Sequence, residues 1–409
     1  MKNITLKVFH FLISLLFIFP IIKESLSSFL LILLCLNTVL YRISVKEYRF
    51  IKPETLLFTI PFWIILFRSL FSIDIQQNIP HIQHGLLFLI IPIFFSLIPI
   101  SFFSKQKLDL YITILKNTCL IIAFIYIISF FTTKSLNELF VVFQNVSTFR
   151  NYIYSDFKLF IIHPTYYTTI LILCSAHAFD RVLNQKKYFE LIYITGFILI
   201  SFFLLTRLNV VLIVLLLFGM ILLGNKLPLK QKIIFISLFL SFVVGLAIVT
   251  PGIRDRFVEM YESYNKPPVN VQYDSTNIRQ AIFDCSLKLA KEKPITGIGF
   301  ENLQNKLNNC YAANYDSSFY ESETYMTHNY FFYIFISSGL IGFFIFMVYL
   351  TNIIRIALKS KIVLFNIFIF NALIVCLFED YLYRHYGVLY FNLLLMCFIQ
   401  YSKNKSISN

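Results

Sequence analysis

The sequence predicts an all-α, polytopic membrane protein of about twelve transmembrane helices, with one long polar loop that carries short helices. Three observations carry this expectation. Of 409 residues, 58% are hydrophobic and only 14% charged, with a mean hydropathy of +0.74. Runs of close to twenty apolar residues, about the length that crosses a hydrocarbon core, recur to the end of the chain. The basic residues gather in alternate connections, as cytoplasmic loops require.

Taken in order, the first apolar segment, 6–22, is basic at its start (Lys2, Lys7). No small-residue cleavage site follows, so it is expected to be a retained span rather than a signal peptide. Further spans are expected at 26–43, 54–72, 84–104, 109–132, 162–181, 187–206, 208–225, 231–250, 329–354, 361–379 and 385–402. Arg42, Lys46, Arg49 and Lys52 fall in one loop set, with Lys105, Lys107, Arg181, Lys186 and Lys187. Lys226, Lys230, Lys232, Arg355, Lys359 and Lys361 continue it, and Lys403 and Lys405 close it in the tail. The opposite set is poorer in them: Ser72–His84 has neither Lys nor Arg. Both termini are therefore expected in the cytoplasm. The net charge of +14 reads as topology rather than nucleic-acid binding.

This parity leaves two large loops outside, 132–161 and 251–328, and long loops tend to carry function. The chain thus divides into 1–250 (nine spans), 251–328 (loop) and 329–409 (three spans and a cytoplasmic tail). Within the loop, Ile278, Ile282, Cys285 and Leu289 lay an apolar stripe on a helix that opens at Thr276 and carries Arg279 on another face. Lys293-Pro294 and the glycines of Thr296-Gly297-Ile298-Gly299 are expected to stop it in a tight turn. Thr327-His328-Asn329-Tyr330 then opens the next span. Cys285 and Cys310 both lie in this loop, as a disulfide if it is extracytoplasmic or as two free thiols. The other five cysteines lie in apolar spans, as packing residues.

Charge near the outer boundary is expensive and asks for a partner or a polar cavity. Arg68, Arg207, Arg279, Glu379 and Arg384 stand there. Arg68 reads as a side chain snorkelling to the interface. Arg207, in a junction with almost no loop, offers a planar fork suited to phosphate oxygens. Glu379 and Arg384 either pair with each other or serve a site. His163, before Pro164, reads as the start of a helix or as a further polar group at the site. His328 and Arg279 fit either the handling of an anionic substrate or the local hydrogen bonding of a structured loop.

In this order, Thr206-Arg207, Arg279-Gln280-Ala281-Ile282-Phe283, Pro294-Ile295-Thr296-Gly297-Ile298-Gly299, His328-Asn329-Tyr330 and Ser338-Gly339-Leu340-Ile341-Gly342 resemble the bacterial O-antigen ligase and polymerase superfamily of lipid-linked glycan transferases. Thr206 stands where a Ser is common in that family, and Phe283 where a Trp is frequent. The resemblance implies a GT-C-like membrane glycosyltransferase of the bacterial inner membrane with a periplasmic active site. It would move a glycan from undecaprenyl pyrophosphate to a hydroxyl of lipid A core or another acceptor. It implies His328 as the catalytic histidine and Arg279 and Arg207 as pyrophosphate ligands; Arg384, Glu379, His163 and Asn329 are candidates for support at the site. No cofactor or metal is expected, and no Asp-x-Asp pair lies near the loop. A polymerase of lipid-linked repeats and a protein O-oligosaccharyltransferase share this donor chemistry. A transporter or flippase is the reading from another class, and the gathering of polar groups on one face argues against it.

Overall fold

The computed structural model describes residues 2–46, 52–72, 75–143, 146–160, 162–223, 228–249, 258, 261–270, 273–322 and 324–408. Arg49, Lys226 and most of 250–260, where the long loop starts, lie outside the described residues, as does the side chain of Arg207.

A helix coincides with every expected span. They are α1 (Lys2–Leu16), α2 (Glu24–Val45), α3 (Ile60–Leu70), α4 (Ile79–Ser96), α5 (Lys105–Thr133), α6 (Pro164–Gln185) and α7 (Leu191–Phe203). Then come α8 (Arg207–Leu223), α9 (Leu229–Val249), and two helices of the long loop, α10 (Ser275–Glu292) and α11 (Leu303–Asn314). The chain closes with α12 (Tyr330–Ser360), α13 (Val363–Phe378) and α14 (His385–Ser408). Five described helical segments are long and apolar enough to cross a membrane: Glu24–Val45, Pro53–Leu70, Gln76–Ser96, Lys105–Thr133 and Tyr330–Ser360. The fold is that of an all-α polytopic membrane protein. Its one described sheet is a hairpin pairing Val142–Phe143 with Val146–Ser147.

Helix ends depart from the hydropathy reading where proline sits. α1 stops at Leu16 rather than running to 22, because Pro20 disfavours helix before it and the chain turns through Phe17–Phe19. α4 starts at Ile79, earlier than expected, with Pro80 in its first turn where a missing N–H costs nothing. It ends at Ser96, before Pro99.

The chain folds as two compact units, one of Met1–Phe19, Glu24–Tyr111 and Ser263–Asn409, the other of Pro20–Lys23 and Ile112–Glu262. In the first, α14 is the central helix: Val388–Gln400 is buried throughout, as an all-round apolar sequence requires. In it α4 packs on α3 and α14, α12 on α3 and α13, and α10 on α11 and α12.

In the second unit α6 packs on α7 and α8. His163 Nδ1 accepts the Thr165 amide at 3.4 Å and caps α6 ahead of Pro164, the helix-start arrangement. Asn209 Nδ2 ties the start of α8 to α6 through Thr165 O at 3.0 Å and Thr168 Oγ1 at 2.5 Å. This unit also holds a buried ion cluster that the hydropathy reading passed over. Lys116 of α5 and Glu190, 1% and 0% exposed, pair with each other. Arg181 Nη1 reaches Glu190 Oε1 at 3.0 Å. Lys116 Nζ lies 4.2 Å from the centre of the Tyr193 ring. A buried charge is tolerated because it is paired.

Candidate active site

α10 starts where Asp274 forms a capping box: it accepts the Thr276 amide at 2.7 Å and the Asn277 amide at 3.0 Å, and Asn277 Oδ1 accepts the Asp274 amide at 2.9 Å. Such a cap is worth about 1 kcal/mol. The expected stripe is buried: Ile278, Ile282, Cys285 and Leu289 face inward. Arg279 projects from the other side, 46% exposed. Cys285 forms a disulfide with Cys310 of α11. Tyr311, next to that cysteine, donates its hydroxyl to Tyr325 O at 3.2 Å, and Gln304 Nε2 donates to the same oxygen at 3.3 Å. The segment leading to His328 is thereby held by the helix that is cross-linked to α10.

The turn after α10 is interlocked with α12. A continuous helix would bond the amides of Leu340 and Ile341 to the carbonyls of Ile336 and Ser337. Gly339 (φ +68°) breaks that ladder. Instead Ile336 O accepts from Ile298 N at 2.9 Å and Ser337 O from Gly299 N at 3.0 Å. Leu340 N donates to Pro294 O at 2.8 Å and Ile341 N to Ile295 O at 3.4 Å. Two helical bonds are exchanged for four bonds to the loop, so the break leaves no orphaned backbone group there. The two glycine motifs are one structural device. Neither Gly297 nor Gly339 has room for a side chain: a Cβ at Gly297 would stand 2.4 Å from Ser337 O, and one at Gly339 2.2 Å from Ile295 O. Arg68 joins this device by donating to Gly297 O at 3.3 Å. It therefore supports the turn, beyond the snorkelling expected of it.

Asn329 caps α12, its side chain accepting from the amides of Phe331 (2.9 Å) and Phe332 (3.1 Å). His328 just ahead is left-handed (φ +45°), a conformation that costs a non-glycine residue about 1–2 kcal/mol. Its amide donates to Asp380 Oδ2 at 2.9 Å, and the Thr327 hydroxyl contacts Asp380 Oδ1. A hydrogen bond of this kind, worth about 1 kcal/mol net, offsets part of the strain. Burial pushes the Asp380 carboxyl above the usual range, opposed by the neighbouring His328 and Thr327.

The side chains meet at Glu379, which is 12% exposed and follows α13. Its Oε2 lies 3.2 Å from His328 Nδ1, and its Oε1 accepts from Arg279 Nη2 at 3.0 Å. Arg279 Nη1 also donates to Phe378 O at 3.3 Å. An ionised carboxylate only accepts, so Nδ1 is the donor of this contact. The His328 ring is 30% exposed, open to a second molecule.

Of the expected site residues, the structure brings together His328, Arg279 and Glu379, with Asn329 directing the chain. Arg384 is exposed, and one charge within its electrostatic reach is Glu24 at the start of α2. Arg207 and His163 belong to the other compact unit. Arg207 opens α8 after Leu205, another left-handed residue (φ +50°), in the tight junction expected there. Asp380 and Thr327 were not singled out from sequence. Their signal was faint: an acid beside Glu379 between two apolar spans, and a threonine preceding the histidine.

The fold and this cluster define a helical membrane protein with a histidine, carboxylate and guanidinium site. Residues 191–347 match the family described as O-Antigen ligase, which supports the family that the sequence resembles and an O-antigen ligase- or polymerase-type role. That family suggests a membrane glycosyltransferase-like enzyme acting on lipid-linked glycans. The match includes Arg207, Arg279, His328 and both glycine motifs; Glu379 and Asp380 lie beyond it. No curated protein matches the chain.

Proposed function

We propose that this protein transfers a glycan from undecaprenyl pyrophosphate to an acceptor hydroxyl, with lipid A core as the acceptor, on the periplasmic face of the bacterial inner membrane. The observation that carries this reading is the Glu379 carboxylate shared between His328 Nδ1 and Arg279. It leaves His328 Nε2 free to accept a proton beside a guanidinium suited to phosphate oxygens.

In the reaction the acceptor oxygen attacks the anomeric carbon, and its proton passes to His328 Nε2. The bond from that carbon to the pyrophosphate oxygen breaks, releasing undecaprenyl pyrophosphate. Arg279 stabilises the charge that develops on the departing oxygens, a contribution usually worth several kcal/mol, and the family resemblance is the ground for proposing Arg207 as a further pyrophosphate ligand. A positioned base adds roughly 10²–10⁴-fold. The Cys285–Cys310 disulfide supports an extracytoplasmic loop, since such bonds persist in oxidising compartments. The basic alternate loops support cytoplasmic termini.

The test uses purified protein, undecaprenyl-pyrophosphate glycan and lipid A core. Mass gain on lipid A core is expected with the native chain, and none with His328→Ala or Arg279→Ala at undiminished membrane insertion. Full transfer by those variants would remove both residues from the chemistry. Gain on the donor glycan alone would make the protein a polymerase, and gain on serine or threonine a protein glycosyltransferase.

A further inference from the structure

α10 exposes one stripe, with Arg279 46%, Phe283 49% and Leu287 37% accessible at four-residue intervals. The turn that follows exposes Ile295 to 62%. Lys288, Lys291 and Lys293 are exposed beside it. The apolar residues do not end in isolation. Ile295 O accepts the Ile341 amide, and Leu340 and Ile341, each 57% exposed, begin the apolar outer surface of α12. At the other end the Phe283 ring meets Phe332 of α12, centroids 5.5 Å apart.

The length of α12 sets the depth of this surface. Its 31 residues measure about 46 Å, against about 30 Å of hydrocarbon. From Tyr330 to Gly339 no residue is exposed, whereas lipid-like exposure starts at Leu340. Counting back about 20 residues from the basic end, Arg355–Lys359, also reaches 335–339. On this count the hydrocarbon boundary falls at Gly339, ten residues inside the span expected at 329–354. Ile295 stands at that boundary, and Phe283, level with Phe332, stands about 10 Å above it, at the height of lipid headgroups.

We propose that the exposed stripe of α10 is a lipid-contacting face that descends into the bilayer surface. Ile295 reaches the edge of the acyl chains and Leu287 and Phe283 lie among the headgroups. The lysines meet the phosphates of anionic phospholipid. The helix then offers a diphosphate borne on a lipid an apolar path that ends at Arg279. The lipid contact itself does not depend on glycan transfer, and its test reads contact alone.

Trp63 is the one tryptophan of the chain. In a Trp63→Phe background, single tryptophans at positions 283, 287 and 295 are compared with Tyr264→Trp, a position 71% exposed in the same unit. The protein is placed in bilayers of phosphatidylcholine and phosphatidylglycerol with brominated acyl chains. Ile295→Trp is expected to lose the larger part of its emission, Leu287→Trp less and Phe283→Trp least, all above Tyr264→Trp. Quenching at Ile295 or Leu287 no greater than at Tyr264 overturns the proposal. Should a tryptophan variant fail to fold, cysteines carrying an environment-sensitive dye at the same positions give the same comparison.

Discussion

At the scale of single residues, the site is organised by two adjacent acids with different work. Glu379 faces the opening and sets the His328 ring, while Asp380 is buried and sets its backbone. Glu379→Gln keeps the shape but gives up the charge that holds Nδ1 protonated. Transfer is expected to fall by about 10²-fold or more, measured as initial rate, with melting temperature little changed. Asp380 makes a different prediction. Its carboxyl is raised by burial, so the folded chain binds that proton more tightly than the unfolded chain does. Its contribution is therefore complete below the unfolded carboxylate value, about 3.9, and is lost as pH rises through the higher folded one. Asp380→Asn cannot ionise, so the melting temperature of the native chain is expected to fall relative to this variant over that rise. Asp380→Ala leaves the His328 amide without its acceptor and costs about 1–3 kcal/mol at any pH.

At the scale of elements, α10 is held at both ends. The disulfide closes a loop between positions 25 apart, worth about 3.5 kcal/mol in the chain-entropy account. Replacing both cysteines by serine is expected to lower the melting temperature and to reduce transfer, because Arg279 rides on the helix so released. The interlock with α12 is stricter. Gly339→Ala or Gly297→Ala drives a methyl into backbone atoms in a left-handed conformation. Each is expected to abolish transfer and to expose the 294–299 turn to protease in intact membranes, whereas Thr296→Ala, at an exposed neighbour, is not. Much of this was legible beforehand: the stripe of α10, the stop at Pro294 and the opening of the next span at Tyr330 are local patterns. That Pro294–Gly299 mends the break at Gly339 was not, because the partners lie some forty residues apart and hydrogen bonds across such a gap leave no periodicity.

At the scale of the molecule, the proposal of cytoplasmic termini and a periplasmic α10–α11 loop rests on the alternating basic loops. Ala313→Cys, exposed at the end of α11, is expected to react with a membrane-impermeant thiol reagent in cells whose outer membrane is permeabilised, and Ser406→Cys only after lysis. The reverse pattern would put the site on the cytoplasmic side. The ion cluster of Lys116, Glu190 and Arg181 belongs to this scale, since it joins α5, α6 and the start of α7. Scanning for apolar runs treats such residues as tolerated exceptions. Only their three-dimensional neighbours reveal that both cations pair with Glu190.

By itself the sequence determined the helical membrane class and the twelve apolar segments, because crossing a membrane demands length and hydrophobicity that composition cannot hide. It also marked His328 and Arg279, because charge beside a span is costly enough to be conspicuous. Tertiary structure alone decided that Glu379 stands between them, that Asp380 lies buried beneath, and that two glycine turns close into one joint. Those outcomes depend on distance in space between residues remote in the chain, and a one-dimensional pattern carries no measure of that distance.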